Sequence, residues 1–168
     1  MLISEEYRRL NFKLHQKDGK YGSRVRMEVY SDVLELTSLV GKGSVLDYGC
    51  GKATMSQYLE CTNYDPAIIE FSARPQPHDI VACCDVLEHV EPECLDYVLE
   101  DIRSLAKHFV YLVVSTAPAG KFLEDGRNAH LIVKPADWWC NKIKETFTDW
   151  EITAKRQSVN SITFIVEA

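Results

Sequence analysis

Apolar positions change period along the chain, and the changes mark out its elements. Residues 4–16 read as a helix, and so do 24–40, where Val25, Val29, Val33, Leu34, Leu36 and Leu39 or Val40 recur near helical spacing. Between them Asp18-Gly19 and Tyr21-Gly22 signal a turn, and Gly41-Lys42-Gly43 stops the second helix. From Ser44 onward, short apolar runs alternate with helical stretches. Strands are expected at 44–48, 61–64, 79–84 and 109–115. A short helix is expected at 53–59, a helical turn at 66–71 and an amphipathic helix at 93–107, with Leu95, Val98, Leu99, Ile102, Leu105 and Ala106 on one face. A long loop, 116–134, precedes a helix at 135–147, where Pro135 suits the first turn and Asp137 its dipole. The chain closes on strands at 150–155 and 162–167 around a turn at Asn160.

Alternating strands and helices predict an α/β domain on a parallel sheet. The last two strands have no helix between them, so they form an antiparallel hairpin and the sheet is mixed there. One domain is expected over 1–168: a helical arm or lid, 1–40, and a core, 41–168.

Composition narrows the class. Hydrophobic residues at 46% and charged residues at 26% are ordinary for a globular protein. No Cys-x-x-Cys pair occurs among the six cysteines, which disfavours a zinc ribbon and fits free thiols in a reducing cytoplasm. Glu5 and Glu6 interrupt any signal peptide, and no apolar run reaches transmembrane length, so no membrane association is expected. A net charge of −6 argues against general nucleic-acid binding. The charge is uneven. Residues 1–26 carry seven cations against three acids, a net of +4, which leaves −10 for the rest. A basic arm on an acidic body folds over it, meets an anionic substrate, or is simply a solvated face.

The candidate chemistry begins where the first strand ends, at Asp47-Tyr48-Gly49-Cys50-Gly51-Lys52-Ala53. Glycines there let the backbone turn sharply and approach a ligand closely, beyond the carboxyl edge where such sheets bind ligands. A dinucleotide fingerprint wants a third glycine where Thr54 stands and gives no reason for Asp47. Asp65 ends the second strand, where a carboxylate can accept both hydroxyls of a ribose.

Val45-Leu46-Asp47-Tyr48-Gly49-Cys50-Gly51, Asn63-Tyr64-Asp65-Pro66-Ala67, and Asp79-Ile80-Val81 followed by Asp85-Val86-Leu87-Glu88-His89-Val90 resemble the first, second and fourth motifs of class I methyltransferases. The resemblance implies a Rossmann-like fold and S-adenosylmethionine as cofactor. It also implies cofactor contacts at Asp47, Gly49, Gly51 and Asp65, with Asp85 at the methionyl end. Two departures stand out. Ala53 takes the place of a third glycine, which its small size should allow. Only thirteen residues separate Asp65 from Asp79, broken by Pro75 and Pro77, so the usual third strand is expected to be reduced or absent and the adenine pocket open. Lys20-Tyr21-Gly22 is expected either to close over the cofactor carboxylate, with Tyr21 in contact, or to be only a turn.

If 85–89 turns helically, Asp85, Glu88 and His89 share one face at the mouth of the site, and the 116–134 loop can bring His130 to it. The set resembles ubiquinone-biosynthesis and small-RNA terminal O-methyltransferases. That resemblance implies Asp85, Glu88, His89 and His130 as ligands for a divalent metal (Mg, Mn or Zn) that polarises an acceptor hydroxyl. Without a metal, His89 or His130 acts as general base with Glu88 beside it. The bland alternative has Glu88 pairing locally and His89 only packing. Arg127 and Asn128 in the long loop are candidate substrate contacts, although Arg127 could equally pair with Asp125 or Glu124. Trp138-Trp139 could stack a planar substrate, but one of the pair is expected in the core.

The expected function is S-adenosylmethionine-dependent O-methylation of a small-molecule or terminal hydroxyl acceptor, by a monomer or homodimer. A non-catalytic cofactor-binding module and an N-methyltransferase are the alternatives.

Overall fold

A computed structural model describes residues 1–23 and 26–168. Arg24 and Val25, with which the sequence pattern opens the second helix, lie outside the described residues. The elements are α1 (Glu5–Lys17), α2 (Met27–Leu39), β1 (Val45–Tyr48), β2 (Thr62–Tyr64), β3 (His78–Cys84), α3 (Leu95–Leu105), β4 (Ala106–Ser115), α4 (Ala136–Thr146), β5 (Glu151–Gln157) and β6 (Ser161–Glu167). They form a six-stranded sheet in the order β2-β1-β3-β4-β6-β5. β2, β1, β3 and β4 run parallel, and β6 pairs antiparallel with β4 and with β5. This is the mixed sheet that the alternation predicts, in the Rossmann-like arrangement that the resemblance implies.

Side-chain alternation along the strands divides the core. Leu46, Tyr48, Val81, Cys83, Val110, Leu112 and Val114 face α3 and α4, with Leu99, Ile102 and Trp139 fully buried among them. Val45, Ile80, Ala82, Phe109, Tyr111 and Val113 face α2 through Val29, Tyr30, Val33 and Leu36. Strands covered on both faces read as continuous apolar runs, which is why β3 and β4 are so plain in the sequence. Tyr111 of β4 also donates to Asp32 of α2 at 2.7 Å, and Arg156 of β5 pairs with the same carboxylate.

Two expectations change, and the reduced third strand is found as expected. The helix expected at 53–59 is a single 3-10 turn, Met55–Gln57: Ala53 is left-handed, and few residues separate it from β2. The amphipathic helix stops at Leu105, and β4 begins at the next residue, three earlier than its apolar run suggests, because Ala106 already pairs with His78. Between β2 and β3 only a 3-10 turn, Ile69–Phe71, appears, so β2 is the edge of the sheet.

α1 lies on neither face. Ser4 caps its first turn by accepting from Tyr7 N–H, Glu5 and Glu6 sit at the positive end, and His15 and Lys17 at the negative end. Tyr7, Leu10 and Leu14 pack on Leu123 and Ala129 of the long loop. Helix and loop together cap the sheet's carboxyl edge.

Candidate active site

The loop after β1 is shaped by its glycines. Gly49 and Gly51 have φ of +77° and +54°, which glycine adopts at no steric cost. Space is as restrictive as conformation. A Cβ at Gly49 would lie 2.5 Å from Val86 Cγ2, and one at Gly51 only 2.6 Å from the carbonyl oxygen of Gly22. Gly22 therefore sits directly on Gly51. Its carbonyl accepts from Lys52 N–H at 2.9 Å, and Lys52 Nζ donates to the carbonyls of Asp18 and Gly19. The turn after α1 is thus docked on the glycine loop. Ala53 has φ of +52°, so alanine is tolerated in space but strained in backbone.

Below this loop lie two buried carboxylates. Asp65 accepts from Gly51 N–H at 3.1 Å and Ala67 N–H at 2.9 Å; burial raises its pKa against those two bonds. Asp47 is pushed up to about 7, first by burial and then by the charge of Asp65. Both line a cavity of about 780 Å³, within the roughly 300–1,000 Å³ of small-molecule sites. The cavity runs along the carboxyl edge under α1, with Tyr7, Asn11, His15, Tyr21, Glu88, His89 and His130 also in its wall.

Asp85 departs from the helical arrangement expected of it. Its φ is +55°, and the 3-10 turn Leu87–His89 starts beyond it. Its carboxylate pairs with Arg26 at 3.2 Å, and Arg26 also donates to Ser161 Oγ. Asp85 lines the cavity but points to Arg26, while Glu88, His89 and His130 bring their donor atoms within 4.8 Å of one another.

Glu88 is fully buried. Its Oε1 accepts from Ser115 N–H, its Oε2 has no partner among the described residues, and burial with nearby Asp85 pushes its pKa up to about 8. His89 Nδ1 lies 2.7 Å from the Ala129 carbonyl, and His130 Nδ1 lies 2.6 Å from the Ala117 carbonyl. A carbonyl only accepts, so each Nδ1 carries the hydrogen and each Nε2 keeps its lone pair. The rings meet edge to face, 4.6 Å apart. Burial and the neighbouring His130 lower His89 to about 3. Tyr21 bridges to the arm, with its hydroxyl 3.2 Å from His89 Nδ1 and its ring against His15.

A family model described as a methyltransferase domain matches residues 21–162. The chain belongs to that family, the S-adenosylmethionine-dependent class I methyltransferases. Comparison with curated proteins finds no sequence match. Among solved structures, the methyltransferase resembles DhpI in complex with S-adenosylhomocysteine (TM-score 0.61, 16% identity, covering 97% of each chain). It also resembles magnesium protoporphyrin IX methyltransferase from Synechocystis PCC 6803 with bound S-adenosylmethionine (0.54, 19%, 91% of this chain and 83% of that one). A third likeness is the 1,6-didemethyltoxoflavin-N1-methyltransferase of Burkholderia thailandensis (0.59, 12%, 96% and 87%). Among the described residues, no helix is long and apolar enough to cross a membrane.

Not every expected residue of the methyltransferase reaches the cavity. Arg127 is exposed and donates to Asp125, and neither it nor Asn128 lines the cavity. Asn128 instead braces the loop, exchanging two hydrogen bonds with the Ala119 backbone and accepting from His130 N–H. Asn128 thereby holds His130 in place, while Arg127 only closes the turn with Asp125. Trp139 is buried in the core, and Trp138 packs on it away from the cavity. Among the wall residues that escaped the sequence reading are Tyr7, Asn11, His15 and Arg26. The first three recur every four residues on α1, a polar stripe legible in the sequence. Arg26 gave no signal beyond its charge.

Proposed function

We propose that the methyltransferase transfers a methyl group to the oxygen of a small or terminal hydroxyl acceptor, with Asp47, Gly49, Gly51, Asp65, Asp85 and Tyr21 around the cofactor and His89 and His130 at the acceptor. The carrying observation is the pair of imidazoles with both Nδ1–H groups tied to carbonyls and both Nε2 lone pairs free. When bound, S-adenosylmethionine presents a methyl group on a sulfonium sulfur, which an in-line oxygen takes while the C–S bond breaks to leave a neutral thioether.

The residues have separable tasks. Ionised Asp47 stabilises the cationic end of the cofactor, and that cation in turn lowers the carboxyl's raised pKa. Asp65 stands where two ribose hydroxyls can donate to it. Asp85 and Arg26 neutralise each other at the methionyl end, leaving Arg26 donors for a carboxylate. Holding acceptor and methyl group in line is the larger part of the catalysis. The acceptor proton goes to an Nε2 of the His89–His130 pair. That proton then passes to solvent. Protonated Glu88 offers Oε2–H as a donor to orient the acceptor oxygen.

A second reading is favoured by the clustering of Glu88, His89 and His130 donor atoms. One carboxylate and two imidazoles fit Zn or Mn better than Mg, which prefers oxygen ligands. An ion there would polarise the acceptor hydroxyl. Asp85 is not part of that set, since its carboxylate is engaged by Arg26.

The test is methyl transfer from labelled cofactor to sugars, phenols and RNA termini, each run beside its amine analogue. O-methyl products that survive treatment with a chelator support the metal-free base, and products lost on chelation support the ion. Turnover of the amines alone would defeat O-methylation.

A further inference from the structure

α1 carries a row of unsatisfied polar atoms on residues that line the cavity. Tyr7, Asn11 and His15 stand four residues apart, stacked along one helix face, and all three line the cavity wall. Tyr7 Oη, Asn11 Oδ1 and His15 Nδ1 are each sealed from solvent without a hydrogen-bond partner among the described residues. Tyr7 is only 3% exposed. A buried polar atom left unpaired destabilises a fold, and native proteins rarely keep three on one face without a use. The stripe is also uncharged. Burial lowers the His15 pKa to about 4 and raises that of the Tyr7 phenol, so it suits a ligand of neutral hydroxyl, amino and ring-nitrogen groups.

The position of α1 says which ligand. β2 is the edge of the sheet, and the chain beyond it adds only one turn before β3. The first turn of α1 stands in that place. Ile3 and Tyr7 share the cavity wall with Asp65, Pro66 and Ala67, and Leu2 and Arg8 border Tyr64 and Ser72 in an adjoining groove. Two hydrogen bonds from Ser4 to Glu91, of 2.8 and 2.6 Å, pin this end down. At the far end His15 fills the space beside Gly22, where a Cβ would lie 2.3 Å from its ring. Of the stripe, Tyr7 and Asn11 are the residues not seated against the glycine turn.

We propose that Tyr7 and Asn11 recognise the adenosine half of the cofactor, replacing the wall that a further strand beyond β2 would supply. This rests on the cofactor placement proposed above. The test is calorimetry of wild type, Tyr7→Phe and Asn11→Ala with two probes. One is S-adenosylhomocysteine, and the other is 5′-methylthioadenosine, which lacks the amino-acid end. Each variant should bind both probes about tenfold more weakly, or about 1.4 kcal/mol, with the acceptor KM unchanged. Asp47→Asn should weaken only the first probe. Apo Tyr7→Phe should melt no lower than wild type, since it loses an unpaired hydroxyl and no bond, so misfolding cannot mimic the effect. Wild-type affinity for both probes in both α1 variants would overturn the proposal, as would an effect confined to the acceptor KM. Failure of the wild type to bind either probe would overturn the cofactor placement itself, and with it the inference.

Discussion

The sheet body and the cap over its carboxyl edge are held by different forces. In the body, strand side chains alternate into two apolar layers, and Leu99, Ile102 and Trp139 are wholly excluded from water. In the cap, α1 and the 116–134 loop share a small apolar cluster and otherwise hold on through polar ties. Ser4 bonds to Glu91, Lys13 to Glu124, Lys121 to Asp18, and Asn128 to Ala119. Among the described residues the body leaves Tyr30 Oη and Trp139 Nε1 unpaired, whereas the cap and the residues beneath it keep Tyr7 Oη, Asn11 Oδ1, His15 Nδ1 and Glu88 Oε2 without partners. Burial of apolar surface stabilises the first region, and the second trades stability for waiting contacts. Catalysis should fail on substitution in the cap or at its boundary, and folding should fail on substitution in the body.

The largest effect expected is on turnover. His130→Ala, in the cap, should lower kcat roughly 100- to 10,000-fold while thermal unfolding stays close to wild type. Steady-state kinetics with an identified acceptor, beside a melt, would check both halves, and collapse of the fold would erase the distinction between the regions. In the body, Leu99→Ala should cost about 2–5 kcal/mol in urea unfolding with kcat per folded molecule retained.

Asp47 sits where the regions meet and should behave as both. Its carboxyl titrates near 7 in the fold against 3.8 as a free side chain. The stability tied to its neutral form is therefore complete below about pH 4 and lost as pH rises through about 7. Apo Asp47→Asn should match wild type at pH 4 and exceed it at pH 8, on the order of 4 kcal/mol. Its affinity for S-adenosylhomocysteine should fall. In the wild type that affinity should climb as pH rises toward 7. Melts at both pH values, with and without ligand, separate these effects. The smallest expected change is at Ala53, whose left-handed backbone glycine would relieve. Ala53→Gly should add about 1 kcal/mol in denaturant titration without altering kcat.

The same division explains what the sequence disclosed. Two-period and 3.6-period patterns report burial against a layer, so β1, β3, β4, β6, α3 and α4 were readable to within a few residues. The missing strand was readable too, from the short Asp65–Asp79 interval and its breaks at Pro75 and Pro77. The helix expected after the glycine loop was not, because Ala53 departs from helical dihedrals and a hydropathy pattern carries no φ. The cap was the least legible part. The sequence marks 1–40 as a helical arm or lid but not what α1 packs on. The seating of Gly22 on Gly51, the Arg26–Asp85 pair and the use of Asn128 to brace His130 are contacts between distant segments. Motif spacing and the long loop predicted that Glu88, His89 and His130 converge, and their donor atoms lie within 4.8 Å of one another. Spacing misplaced Asp85 because a left-handed residue after β3 breaks the helical register that it assumed.

The central claim is that the polar cap completes a cofactor site on an already stable sheet. Amide hydrogen exchange of the whole chain, with and without saturating S-adenosylhomocysteine, addresses it most directly. Added protection should concentrate in 1–23, in 47–53 and in 117–131, with β3, β4 and β6 already protected and unchanged. Tight binding that leaves exchange in 1–23 and 117–131 unaltered would contradict the account.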